Sequence, residues 1–349
     1  MSLPRLCKYL CVVAIAYFAA AVFAQGAKRS DEAFFISFQV PGEPYTQPTS
    51  INAFMTVTGS YIDANDQLHG FVRDVFGRLI KFDPPGSGAT GPASINRAGA
   101  ITGGYFDSSG VAHGFVRDPR GKITSFDAPD SSATSASSIN AAGAIAGTYT
   151  ATGGGDHFFV RSPEGEITVF APPGDLFAGA PSGVSINDSG AITGSYGDAS
   201  GTHGFVRDPQ GVFVSFDPPG TSQTSPTSIN AAGAVTGYFN GDHGFVRSPR
   251  GKITSFDPPG SVLTLPVSIN AAGRITGAYE EAGYQGYRGF VRSPTGEFAL
   301  FDFPGAIATA PTGMNDLGVI VGYYYIGDTS FGFLRVPAVC DKEENESGR

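Results

Sequence analysis

The sequence predicts an all-β chain folded as a seven-bladed β-propeller of four-stranded antiparallel blades, and three observations predict it. Four short markers recur together along the chain. The breaks between them are turns too short for anything but antiparallel neighbours. The marker missing from the last copy stands instead at the start of the chain, ahead of the first copy.

The first marker, Ser-Ile-Asn, ends at Asn52, Asn96, Asn140, Asn187, Asn230 and Asn270, and a weaker copy, Gly313-Met314, ends at Asn315. The intervals run from 40 to 47 residues. The second is a glycine after a short apolar run with an aromatic two residues on, from Gly59 and Tyr61 to Gly322 and Tyr324. The third, Gly-Phe-Val-Arg or a variant, ends at Arg73, Arg117, Arg161, Arg207, Arg247, Arg292 and Arg335. The fourth, Phe-Asp-Pro-Pro-Gly or a relic of it, begins at Phe82, Phe126, Phe170, Phe216, Phe256 and Phe301. Each copy reads as four strands, A to D, joined by turn chemistry such as Asn-Ala-Ala-Gly and Asp-Pro-Arg-Gly. Repeats of roughly 40 to 45 residues with four antiparallel strands are the mark of propeller blades and disfavour a parallel β-helix.

The seventh D strand is the segment Phe35 to Gly42, which reads like Ile123 to Pro129 and precedes the first Ser-Ile-Asn. An open stack would leave one unpaired edge, whereas a strand borrowed across the termini pairs that edge and closes a ring. Apolar residues on both faces of strands B and D fit blades sandwiched between neighbours.

Composition agrees. The chain has 349 residues, 41% hydrophobic and 15% charged, enough to bury a large core, which excludes disorder as the main state. Its 49 Gly and 25 Pro suit many short strands and turns. A net charge of -9 with no basic run argues against nucleic acid and anionic membrane surfaces as partners. At the N-terminus Arg5 and Lys8 precede an apolar stretch from Tyr9 to Val22, and Val22-Phe23-Ala24 carries the small residues of a signal-peptidase site. That run is shorter than the ~20 residues of a spanning helix. Residues 1-24 are thus expected to be a signal peptide, 25-338 the propeller and 339-349 a disordered acidic tail, in a protein that is secreted, periplasmic or on the cell surface. Cys7 and Cys11 leave with the peptide. Cys340 alone remains, so no intrachain disulfide forms and an intermolecular one is the covalent option.

The pattern Ile-Asn-x-x-Gly-x-Ile-x-Gly, then His-Gly-Phe, then Phe-Asp-x-Pro-Gly, resembles the HAF-type extracellular repeat family over about residues 34 to 336. Here His-Gly-Phe stands for the family's His-Ala-Phe. The resemblance implies an exported bacterial repeat protein and brings no catalytic residues with it.

Repetition argues for structural roles. His69, His113, His157, His203 and His243 share one repeat position at the start of strand C, replaced by Arg288 and Phe331 in the last two copies. Equivalent positions on neighbouring blades lie on the order of 10 Å apart, too far for one metal ion. A repeated hydrogen bond is the reading for these histidines. The marker arginines should pair with polar atoms between strands or blades, and Asp83, Asp127, Asp217, Asp257 and Asp302 should likewise find partners. The Asn ring either satisfies turns or lines a channel mouth that takes a polar ligand; the turn reading is preferred. Asp63, Asn65 and Gln67 lack the glycine and glutamate of a calcium loop. Gly153-Gly154-Gly155 reads as a hairpin tip. No nucleophile elbow, zinc motif or phosphate loop is present, so no catalytic residue, metal or cofactor is expected.

In a ring of near-copies, function is expected at departures from the consensus. With A innermost, the B to C hairpins and D to A crossovers share one face, and that face is the variable one. It carries Glu280, Glu281, Tyr284, Tyr287 and Arg288 in the sixth copy, Asp156 in the third, and Asp175, Leu176 and Phe177 in the crossover after Phe170. Acid, aromatic and arginine together suit a sugar or peptide. The expected function is a non-enzymatic binding or scaffold module whose partner is a glycan, a peptide or another cell-surface component. The alternatives are a propeller lyase or hydrolase acting on a polysaccharide or small molecule, and a structural surface protein.

Overall fold

The structure, a computed structural model, describes residues 33–174 and 184–338. The signal-peptide assignment, Asp175, Leu176, Phe177, Cys340 and the tail fall outside those residues. One compact unit runs Phe35–Val336. Among the described residues 28 strands form it. Blade I holds Tyr45–Ile51, Val57–Ile62, Leu68–Arg73 and Leu79–Phe82 as strands A to D. Blades II to VI follow with the same antiparallel A-B-C-D order, and blade VII holds Ala308–Met314, Ile320–Ile326 and Thr329–Val336. Its fourth strand is Phe34–Phe38, paired with Thr329–Val336. One parallel bridge, Tyr45 to Ser330, joins blades VII and I into a mixed sheet.

The seam between chain ends is built like the other seams. In most blades a strand D phenylalanine sets its edge on the strand C phenylalanine of the next blade, as Phe126 does on Phe159 with centroids 6.0 Å apart. Phe38 does the same on Phe71 at 6.3 Å. Each marker arginine lies over the strand D ring of the preceding blade: Arg161 over Phe126 at 4.9 Å, Arg73 over Phe38 at 4.9 Å. The Ser37 hydroxyl meets the Tyr324 phenol at 2.7 Å, as Ser125 meets Tyr105 at 3.0 Å. Blade III departs: Phe158 replaces the strand C glycine and stands edge-on to Phe205 at 5.1 Å, stacked against Phe170 at 5.6 Å.

The arginines find less polar company than expected. Nη1 of six of them, from Arg73 to Arg292, donates to the carbonyl of the following residue, as Arg247 does to Ser248 at 3.4 Å, while the buried Nε has no hydrogen-bond partner in any of the seven. Burial holds the Arg247 guanidinium below its ordinary pKa, and the aromatic face supplies the main contact. Strand D also differs from expectation. Strand B is buried on both faces, but the middle residues of strand D are exposed, as at Val169 and Val214. Strand D is outermost, and wedge-shaped blades diverge there, so neighbours no longer cover it.

Two glycine markers are steric. Strand A carries a β-bulge in most blades, between Pro226 and Ser228 in blade V. At that bulge the strand A backbone lies close against strand B, so a Cβ on Gly237 would run into the Ser225 carbonyl oxygen and the Pro226 Cα. The strand C glycine lies under the strand D ring, Gly332 beneath Phe38 as Gly114 is beneath Phe126.

Because both rings do the same work, Phe38→Ala and Phe126→Ala should each lower the unfolding free energy by about 3 kcal/mol in chemical denaturation. A Phe38→Ala protein as stable as its parent would contradict closure of the ring by the N-terminal strand.

Candidate functional site

The axis is lined by strand A. The bulge turns two consecutive residues of each strand inward, Thr49-Ser50, Ser137-Ser138 and Thr227-Ser228 among them, around a cavity of about 230 Å³. Five of the serine hydroxyls accept the isoleucine N–H of the next blade at 3.2 to 3.4 Å, as Ser138 does from Ile186 at 3.2 Å. Among the described residues no ionisable side chain lines this cavity.

Below it the Asn markers form an unbroken circle. Asn52 Nδ2 donates to the Asn96 carbonyl at 3.1 Å, Asn96 to Asn140 at 3.0 Å, and so around to Asn315, which donates to Asn52 at 3.1 Å. Each Oδ1 accepts the N–H four residues on, closing the A to B turn, as at Ala144 with 2.9 Å. Both side-chain ends are therefore engaged in structure.

The histidines sit on the face of the B to C hairpins, each against its blade's strand B aromatic; Tyr61 and His69 stack with centroids 5.1 Å apart, whereas Tyr196 and His203 are tilted at 46°. Nδ1 of His69, His113, His203 and His243 donates to the Asp after strand D at 2.7 to 2.9 Å. The hydrogen bond to Asp257 pushes His243 above its ordinary pKa, against burial, which lowers it. Hydrogen bonds from Ser200, side chain then backbone, with His203 adding to them, hold Asp198 down to about 2. Among the described residues no group of three or more His, Cys, Asp or Glu is placed to hold a metal. Asp63 accepts the N–H groups of Asn65 and Gln67 at 2.8 and 2.9 Å, an ordinary turn.

The candidate residues of blade VI form one knot. Arg288 Nη1 donates to Glu281 at 2.7 Å, Nε lies 3.3 Å from Asp302, and the guanidinium lies 4.1 Å from the Tyr284 ring centroid. Burial, with Glu281 adding its charge, pushes the Asp302 carboxyl up, opposed by Arg288. Tyr284 donates its hydroxyl to the Ile307 carbonyl at 3.2 Å, and Tyr287 accepts the Thr309 N–H through its own carbonyl at 2.7 Å. The long hairpin is thus fastened onto blade VII. Glu280 pairs with Leu263 on the strand before it. Asp156 is not brought into this group; it lies in blade III and takes the Thr150 hydroxyl at 2.7 Å.

Three residues missed by the loop-centred reading complete the site. Tyr323 and Tyr325 stand on one face of strand B of blade VII, centroids 5.7 Å apart, and pair with Ala310 and Ala308. Blade VI has Leu265 and Leu263 at those two positions, so small residues make the room. Gln47 of blade I donates to the Tyr325 hydroxyl at 3.3 Å. Burial pushes the Tyr323 phenol above its ordinary pKa, and Tyr325 and Tyr287 add to the shift. The position after the strand B glycine is small in most copies, Ser60, Gly104 and Ala278 for example, and is tyrosine at Tyr238 and Tyr323.

Asn140→Ala should cost about 1 to 3 kcal/mol in urea unfolding, and Asn140→Asp at least as much, because it keeps the acceptor but faces the Asn187 carbonyl with a carboxylate. A raised folded-state pKa contributes stability that is complete below the unfolded value of about 6.5 and lost as pH rises through the folded value. NMR titration should place His243 above that unfolded value, and wild type should lose its stability advantage over His243→Gln across that window. An unshifted imidazole would refute the Asp257 pairing.

No protein-family model matches this chain. No curated protein matches it in sequence. Solved structures do match in fold. Virginiamycin B lyase from Staphylococcus aureus is 13% identical with TM-score 0.59, over 87% of this chain and 99% of the lyase. The β-propeller domain of the Trilobed protease from Pyrococcus furiosus, which has an open velcro topology, is 11% identical with TM-score 0.58, over 86% and 95%. A puromycin-hydrolysing peptidase from Mycobacterium tuberculosis is 12% identical with TM-score 0.59, over 87% of this chain and 54% of the peptidase. At such identities the likeness is one of fold, and the chain is a β-propeller similar to these.

Proposed function

We propose that this chain is an exported, non-enzymatic binding module that takes a glycan or a peptide on the hairpin face, at the axial mouth formed by Tyr287, Tyr323, Tyr325 and Gln47. One observation carries the reading: tyrosines from blades VI and VII gather with a glutamine from blade I, opposite alanines of strand A where blade VI has leucines. Aromatic rings offer large contact area at low entropic cost, and their hydroxyls with an amide fix orientation. The mouth is asymmetric in a ring that is otherwise nearly symmetric, as recognition of one ligand requires. The N-terminal Arg5, Lys8 and Tyr9 to Val22 pattern, with the resemblance to HAF-type extracellular repeats, supports export.

Residues 25–349, probed on a glycan and peptide array, should capture a defined set of ligands. Tyr287→Ala and Tyr323→Ala should each weaken capture by roughly tenfold with the thermal midpoint preserved. Capture unchanged by both substitutions would remove the mouth from the proposal. Fractionation of expressing bacteria should find the chain outside the cytoplasm and shortened after Ala24.

A further inference from the structure

The net charge of -9 is distributed unevenly between the two faces. Antiparallel strands alternate direction, so every A to B and C to D turn opens on one face and every B to C hairpin and D to A crossover on the other. Asp83, Asp127, Asp217, Asp257 and Asp302 end the D strands on the hairpin face. The hairpins themselves add Asp63, Asp107, Asp198 and Asp242, and exposed Asp66, Asp130 and Asp328 extend the rim. Lysine and arginine follow the opposite rule. Arg97, Arg120, Lys122, Arg250, Lys252 and Arg274 all lie on the turn face.

Among the described residues, the lysine and arginine side chains on the hairpin face are Lys81 and Arg288. Both are already taken, and by one recipe. Lys81 Nζ meets Glu43 at 2.6 Å and lies 4.6 Å from the Tyr61 ring centroid. Arg288 meets Glu281 at 2.7 Å and lies 4.1 Å from the Tyr284 centroid. A carboxylate and a tyrosine face together hold a cation in each case. Tyr287, Tyr323 and Tyr325 gather on the same acidic face, and among the described residues no lysine or arginine lies over their rings.

We infer that the hairpin face is a docking surface for a basic peptide segment, its rim drawing in clustered lysine and arginine side chains and its tyrosine mouth seating one of them. This rests on the binding-module reading and names its partner class. Charge complementarity selects the occupant: an anionic partner would meet a face of its own sign, and a neutral glycan would leave the rim unused. The rim acts at a distance and governs encounter, whereas the tyrosines act on contact and govern residence.

The test uses residues 25–349 and three fluorescent peptides of equal length: oligoarginine, oligoglutamate and a neutral Gly-Ser control. Oligoarginine alone should bind, and raising salt from roughly 25 to 250 mM should weaken it about tenfold as the rim is screened. Asp66→Asn, Asp130→Asn and Asp328→Asn combined should weaken binding roughly threefold or more at low salt and flatten the salt dependence. Tyr323→Ala should weaken it at both salt concentrations, and Arg120→Gln with Lys252→Gln on the far face should leave it unchanged. Circular dichroism and thermal midpoints establish that each variant is folded. Binding of oligoglutamate, absence of oligoarginine binding, or indifference to the rim and tyrosine substitutions would overturn the inference. A neutral glycan captured at Tyr323 without oligoarginine binding would overturn it too, yet leave the module reading standing.

Discussion

Every blade is a sheet with two apolar faces, and no blade can cover either by itself; the whole molecule depends on neighbours covering both, around a circle. Near the axis the constraint takes the form of the asparagine ring, in which each Nδ2 reaches the backbone of the next blade while Oδ1 ties its own turn. Farther out it takes the form of arginine over phenylalanine and phenylalanine against phenylalanine across each seam. A chain with a free end would break all three sets at once. The strand Phe34–Phe38 prevents that by presenting Ser37 and Phe38 to the positions that Ser125 and Phe126 serve elsewhere. The result contrasts with the open velcro of the Pyrococcus domain that shares this fold.

Much of this was legible in the residues because repetition multiplies weak local signals. One Asn-Ala-Ala-Gly is a turn; the same turn after every Ser-Ile-Asn is a blade count, and the stray Phe35 to Gly42 segment then has only one place to go. What stayed hidden depended on contacts between copies. The strand D phenylalanine under Arg161 is Phe126, 35 residues earlier and in another blade, and nothing in either local pattern announces it. The bulge behind Gly237 was legible only as an unexplained glycine. Exposure of strand D was misjudged because apolar alternation reports a strand's chemistry and not how far its neighbours diverge.

The site was less legible than the fold, for a related reason. Departures were sought in loops, where variation is easy to see, and that search found the Arg288 knot, whose members mostly satisfy one another. Tyr323 and Tyr325 lie in a strand and read as core, because an aromatic in strand B is the rule one position away, at Tyr324. The small Ala308 and Ala310 opposite them, where blade VI has Leu263 and Leu265, set this pair apart.

Symmetry and its breach divide the work. A repeated group, such as the His–Asp pair that recurs on several blades, can only build a uniform environment, here an acidic collar whose field falls off over about 10 Å at moderate salt. A single ligand cannot be oriented by such a collar, since rotating it by one blade changes little. Orientation requires a unique feature, and blades VI, VII and I supply it by fastening the long hairpin through Tyr284 and Tyr287 onto strand A of blade VII, which pairs with the strand that carries the tyrosines. The hairpin is held by backbone hydrogen bonds and by Arg288, so Tyr287 is carried on an anchored segment, and less ordering entropy is lost when a ligand arrives. A fold built from copies thus acquires a specific place where the copying fails.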